Sequence, residues 1–112
     1  MLNIKYCNIL MEENILEIIK SKNINKKYTA IIINNNTGNK REISFGARGY
    51  KQYKDSTKLK LYSKSNHFNN KRRENYYLRF SKTKFKQSAI FKEVTKSGGK
   101  YTAKILSHKY LW

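Results

Sequence analysis

The chain of 112 residues contains no proline, one cysteine and only seven acidic residues. A single cysteine, Cys7, cannot close an internal disulfide, and no histidine stands near it at metal-ligand spacing. Neither a disulfide framework nor a zinc site is therefore expected, and a reducing compartment fits. The scarcity of acids excludes more. Outside the stretch expected to form the first helix, where Glu12 and Glu13 point in different directions from consecutive positions, no two acids stand close together in sequence. This disfavours two-carboxylate hydrolysis and carboxylate metal sites. His67 and His108 are far apart and read as structural or solvated. No apolar run approaches the roughly 20 residues of a membrane span, and the first residues lack the basic-then-apolar layout of a signal peptide, so a soluble protein without a membrane span is expected. No enzymatic activity, cofactor or metal is anticipated.

What the chain has in excess is positive charge: 25 Lys and Arg, for a net charge of +18. The excess is uneven. Residues 1–19 hold one base and three acids, whereas residues 20–112 hold 24 bases against 4 acids, a net of +20. A folded surface so charged repels itself in isolation and is expected beside a polyanion or an acidic partner. Nine tyrosines, five phenylalanines and a tryptophan separate the chain from an ordinary basic tail, since they supply material for a modest core.

The chain centres on Phe45-Gly46-Ala47-Arg48-Gly49-Tyr50-Lys51-Gln52-Tyr53. Residues 28–33 are apolar and β-branched, 34–39 are rich in Asn and Gly, and 40–45 place Ile43 and Phe45 in alternation with polar neighbours; together they predict a β-hairpin. The hairpin feeds Gly46-x-x-Gly49, a shaped backbone turn that lacks the Gly-Lys-Ser or Gly-Lys-Thr ending of a phosphate loop. Before the hairpin, Ile15, Leu16, Ile18 and Ile19 recur at helical spacings, with Glu12 and Glu13 near the start and Lys20 and Lys22 near the end. An N-terminal helix is expected, forming a helical extension over 1–24 ahead of a small basic α+β domain over 25–112. Residues 51–70 read as a loop. From Asn69 or Asn70 as cap, residues 71–80 predict a basic central helix. The stretch 88–112 fits either a second hairpin around Gly98 and Gly99 or a helix over its last ten residues, and the C-terminal helix is preferred. Trp112 is expected to tuck its indole into the core or an interface. The fold class is therefore α+β: N-terminal helix, β-hairpin, basic central helix and C-terminal helix.

Polyanion contacts are expected from Arg48, Lys51 and Lys54 after the glycine turn and from Lys71, Arg72, Arg73, Arg79, Lys82 and Lys84 in the most basic segment, with Tyr50, Tyr53 and Trp112 as docking aromatics. Acidic proteins of a large assembly form the alternative partner class.

The motif Phe45-Gly46-Ala47-Arg48-Gly49-Tyr50, the basic segment from His67 to Lys82, Tyr101-Thr102-Ala103 and the ending Ser107-His108-Lys109-Tyr110-Leu111-Trp112 resemble, in order, a family of small basic proteins encoded by nucleocytoplasmic large DNA viruses. The resemblance spans roughly residues 28–112. It departs where Lys51-Gln52-Tyr53-Lys54 stands in for a Ser-Asp-Tyr-Thr segment, so that the role of an aspartate there is expected to be lost. What the resemblance implies is a non-enzymatic structural component of a virus particle, a minor capsid or internal virion protein, found in the virion and in the host cytoplasm or viral factory during assembly. Its partners would be acidic capsid proteins or the double-stranded DNA genome, the alternative being a DNA-binding protein that condenses or packages that genome.

Overall fold

The structure, a computed structural model, describes residues 11–112. Three antiparallel strands, β1 (Glu13–Lys20), β2 (Lys26–Asn34) and β3 (Lys40–Ala47), form one sheet in that order. A loop with a 3-10 turn at Ser63–Ser65 leads to three helices, α1 (Asn70–Ser81), α2 (Lys86–Ser97) and α3 (Ala103–Tyr110). The expected hairpin is β2 and β3, turned at Asn34, whose Oδ1 accepts the N–H groups of Asn36 at 2.8 Å and Thr37 at 3.0 Å. Tyr28, Ala30 and Ile32 of the central strand, with Phe45 of β3 beside Tyr28, bury one face of the sheet beneath Leu106 and Leu111. α3 supplies that cover. It begins at Thr102, whose hydroxyl accepts the Ile105 N–H at 3.1 Å.

The α+β class is right, but its element list needs correction. No helix forms over residues 13–20: they are strand β1, paired along the edge of β2. The portion of the expected helix over residues 1–10 lies outside the described residues. A β-bulge explains why a strand mimics a helix here. Pairing runs Ile15 to Ile32, then Glu17 to Ile31 and Ile18 to Ala30, so the register shifts between Ile15 and Glu17. The extra residue restores Ile15 and Ile18 to the same face at a spacing of three, which strict alternation would forbid. Glu13 does not serve a helix dipole. Its buried carboxylate takes the Arg41 Nε and a second guanidinium nitrogen, each at 2.8 Å, and the Tyr101 N–H at 2.8 Å, tying β1, β3 and the approach to α3 together. The Arg41 bonds hold its pKa below the usual carboxylate range against the opposing effect of burial.

A second correction concerns the central helix. Asn69 caps α1 as anticipated, accepting the Arg72 N–H at 3.0 Å, but the central helix does not stand alone. It turns through Lys82, in left-handed conformation at φ 61°, and within a few residues enters α2. α2 obscures itself in sequence because one of its three buried residues is Glu93 and its N-cap position, Phe85, makes no side-chain cap. The Gly98 and Gly99 N–H groups bond back to Thr95 and Val94 oxygens at 3.2 and 3.0 Å, closing α2 and precluding a hairpin there.

Candidate polyanion-binding cleft

One wall of the site is a loop held by a buried polar network. Asp55, 1% exposed, accepts the Tyr28 hydroxyl at 2.5 Å and the Tyr62 N–H at 3.2 Å on one oxygen, and the Thr57 hydroxyl at 2.6 Å and N–H at 3.0 Å on the other. Burial alone would raise its pKa. The hydrogen bonds from Thr57 and Tyr28 outweigh it, and the carboxyl lies below its ordinary range. Asn66 Oδ1 accepts the Asp55 N–H and the Gln52 side-chain amide, both at 2.7 Å. Gln52 in turn accepts from the Lys27 ammonium, which also donates to the Tyr50 carbonyl at 2.8 Å. Burial brings the Lys27 pKa down to about 8, opposed by the charge of Asp55. Asp55 thus places a buried carboxylate after the glycine turn, and residues 50–66 are fixed against the sheet by side chains.

This loop, the end of β3, α1 and α3 enclose an open cleft of about 570 Å³. On α1, Arg72, Asn75, Tyr76, Arg79 and Phe80 fall on one helical face and form the second wall; Lys104, Ser107, Leu111 and Trp112 close the end. Lys26 and Lys51 stand on the opposite side. No Asp or Glu side chain lines the cleft. Among the described residues only Glu13 and Glu93 make ion pairs, with Arg41 and Lys104, so Lys26, Lys51, Arg72 and Arg79 face the cleft without a counter-ion. The aromatic lining is of two kinds. Tyr76 and Trp112 stack on each other, ring centroids 4.2 Å apart at 3°, while Tyr50 and Phe80 are 71% and 41% exposed.

The two glycines of the central motif act differently. Both have positive φ, 80° at Gly46 and 86° at Gly49, but a Cβ on Gly46 would meet Leu111 Cδ1 at 2.8 Å whereas one on Gly49 meets open space. Gly46→Ala is expected to cost about 3 kcal/mol, from left-handed strain and a clash that pushes Leu111 from the core, and Gly49→Ala about 1 kcal/mol from strain alone. Urea unfolding of both variants checks this, and equal losses would contradict it.

Of the bases expected to meet a polyanion, Lys51, Arg72 and Arg79 line the cleft. Two others are engaged in holding the fold. Arg48 donates to the Tyr62 hydroxyl at 2.9 and 3.1 Å, and Arg73 donates to the Trp112 backbone oxygen at 2.8 Å while lying 4.5 Å over the Tyr53 ring. Lys54, Lys71, Lys82 and Lys84 are exposed outside the cleft lining. Tyr53 packs edge-on against His67 and Phe68 rather than projecting as an anchor. Lys26, Lys27 and Lys104 are cleft residues that sequence patterning missed, because nothing in their local spacing separates them from the other lysines. Part of the positive charge has a structural use: Lys92 and Lys104 donate to Ser81 and Phe80 oxygens at the end of α1, at 2.9 and 3.3 Å, and Lys86 to the Lys109 oxygen at the end of α3 at 3.3 Å.

Residues 16–61 match a family of unknown function, DUF5754. The match covers the sheet from Leu16 onward, the glycine turn and Asp55 with Thr57, but not Tyr62, Asn66 or the helical region that supplies Arg72, Arg79 and Trp112. No curated protein and no solved structure matches the chain.

Beneath the cleft lies a second buried polar chain. His108, fully buried, touches the Tyr76 hydroxyl through Nδ1 and the Ser81 hydroxyl through Nε2, both at 2.8 Å, and Ser81 donates to Glu93 at 2.8 Å. Because the one Ser81 proton points at Glu93, Nε2 carries the imidazole proton and Tyr76 donates to Nδ1. Burial lowers the His108 pKa to about 4, against the pull of Glu93 and with the repulsion of Lys104 and Lys86. Ser81 and His108 are both closed to solvent, and the acid bonds the serine instead of the imidazole. Neither Ser81 nor His108 is open to the cleft as a nucleophile and base would be. The buried polar chain joins α1, α2 and α3. Among the described residues no group of three or more His, Cys, Asp or Glu could hold a metal ion, and no helix is long and apolar enough to cross a membrane.

Proposed function

We propose that this protein is a non-enzymatic nucleic-acid-binding protein whose cleft grips the phosphate backbone. The observation that carries this reading is a cleft lined by six bases and four aromatic rings without an Asp or Glu side chain. Unpaired cations in a concave wall concentrate positive potential, and their counter-ions are released when phosphates replace them. The resemblance to small basic proteins of large DNA viruses supplies the setting, a component of the virion or the viral factory that meets viral nucleic acid. Acidic capsid surfaces fit less well, because a flat acidic protein surface leaves the exposed rings of Tyr50 and Phe80 without partners.

Two variants that remove equal charge test the reading. Arg72→Ala/Arg79→Ala empties the cleft wall, while Lys54→Ala/Lys84→Ala removes two exposed bases outside it. In oligonucleotide titrations across a salt series, the first is expected to weaken binding about tenfold or more and make the log–log salt slope shallower by roughly 1.5 to 2. The second should leave both nearly unchanged. Equal effects from the two pairs would mean that net charge, not the cleft, does the binding.

A further inference from the structure

We infer that the cleft is built for single-stranded rather than duplex nucleic acid, an inference that rests on the nucleic-acid reading and narrows it. Its volume, about 570 Å³, is of the size that encloses a small-molecule-sized group, so one or two nucleotides can enter it and a duplex can meet only its rim. The exposed aromatics point the same way. Tyr50 and Phe80 present their rings at the cleft beside cations: the Arg79 guanidinium lies 5.7 Å from the Phe80 ring centroid, and Lys51 follows Tyr50 in the chain. Rings next to phosphate-binding cations form a stacking platform for unpaired bases, whereas the bases of a duplex already stack on one another and offer no free face.

The platform is held in place beforehand. Lys27 donates to the Tyr50 carbonyl from a position 2% exposed, and the same ammonium is bonded to Gln52, so the backbone that carries the Tyr50 ring is fixed from below by the Asp55 network. Phe80 is seated against the Tyr76 ring at 4.9 Å, and Tyr76 is stacked on Trp112. Asn75 and Ser107 add uncharged hydrogen-bonding groups to the cleft that suit base edges without choosing among them. Sequence-tolerant binding of a single strand, with bases on the two rings and phosphates on Arg72, Arg79, Lys51 and Lys26, follows from this arrangement.

The test uses an oligo-dT strand of about 12 nucleotides and a blunt duplex of the same length, titrated at one salt concentration against the parent, Tyr50→Ala and Tyr50→Ala/Phe80→Ala, with Arg72→Ala/Arg79→Ala alongside. The parent is expected to prefer the single strand by about tenfold or more. Tyr50→Ala, at an exposed position where folding is not at stake, should lose about 5- to 100-fold in single-strand affinity while its duplex affinity stays unchanged, and the double variant should erase the preference. Duplex binding as tight as or tighter than single-strand binding, or a Tyr50→Ala variant that binds the strand like the parent, would overturn the inference and leave the nucleic-acid reading standing. If neither probe binds, or if the arginine variant binds both like the parent, the nucleic-acid reading itself fails.

Discussion

Replacing Asp55 by alanine is expected to remove about 4 kcal/mol of stability and lower the thermal midpoint by roughly 20 °C. Four donors converge on this carboxylate, from Tyr28, Tyr62 and twice from Thr57, and all lose their acceptor at a position 1% exposed. Each buried donor left unsatisfied costs about 1 to 3 kcal/mol, moderated as water and neighbours relax. The Tyr28 hydroxyl also accepts the Leu61 N–H at 2.9 Å, so its displacement loosens the loop at a second point. The nearby Lys27 loses the charge that favours its protonated form. Asp55→Asn keeps the shape but turns an amide N–H toward a donor, and should fall between parent and alanine. Urea unfolding with an unchanged m-value measures the loss, and a change below about 1 kcal/mol for Asp55→Ala would mean that the loop is not held by this carboxylate.

Mild acid should destabilise the protein through His108. The folded pKa of about 4 lies below the unfolded value near 6.5, so between these values the unfolded chain binds a proton that the native chain does not. Stability is therefore full above about pH 6.5 and declines as pH falls toward 4, by roughly 3 kcal/mol in all. The groups facing the imidazole are Tyr76 and Tyr77 from α1, Glu93 and Lys86 from α2, and Lys104 from its own helix. Glu13 and Asp55, whose carboxyls are held below their ordinary values, add losses of the same sign only at lower pH. His67 contributes in the same window, since burial lowers its pKa and its Nδ1 accepts the Asn69 N–H. Unfolding free energies from pH 7 to pH 4 should fall steeply for the parent and far less for His108→Gln. Parallel declines would refute the assignment to His108.

The hairpin was legible because its turn chemistry and alternation agree, and α1 because Asn69 caps a stretch whose aromatic spacing is helical. β1 was misread for a definable reason: the bulge before Glu17 gives a strand the three-residue apolar spacing of a helix. α2 was hidden because Glu93 belongs to a buried polar chain that only the fold assembles. Within the cleft, Arg72 and Arg79 were visible as members of a basic helix, and Lys51 as the residue after the glycine turn. Arg48 and Arg73 could not be told from them, since only tertiary structure brings Tyr62 under one and the Trp112 backbone oxygen to the other. Lys26 reaches the cleft from the start of β2, and Lys104 from the first turn of α3, far from any basic cluster in sequence.

Backbone amide chemical-shift mapping during titration with a short oligonucleotide tests the nucleic-acid cleft most directly, because it locates the contact without altering any residue. Shifts concentrated at Gly46–Gln52, along the Arg72–Phe80 face of α1 and at Lys104–Trp112, and weak over β1 and the outer side of α2, are the predicted result. Shifts spread over all exposed lysines, or centred away from these three segments, would show that the charge acts as a diffuse surface and that the cleft is not the binding site.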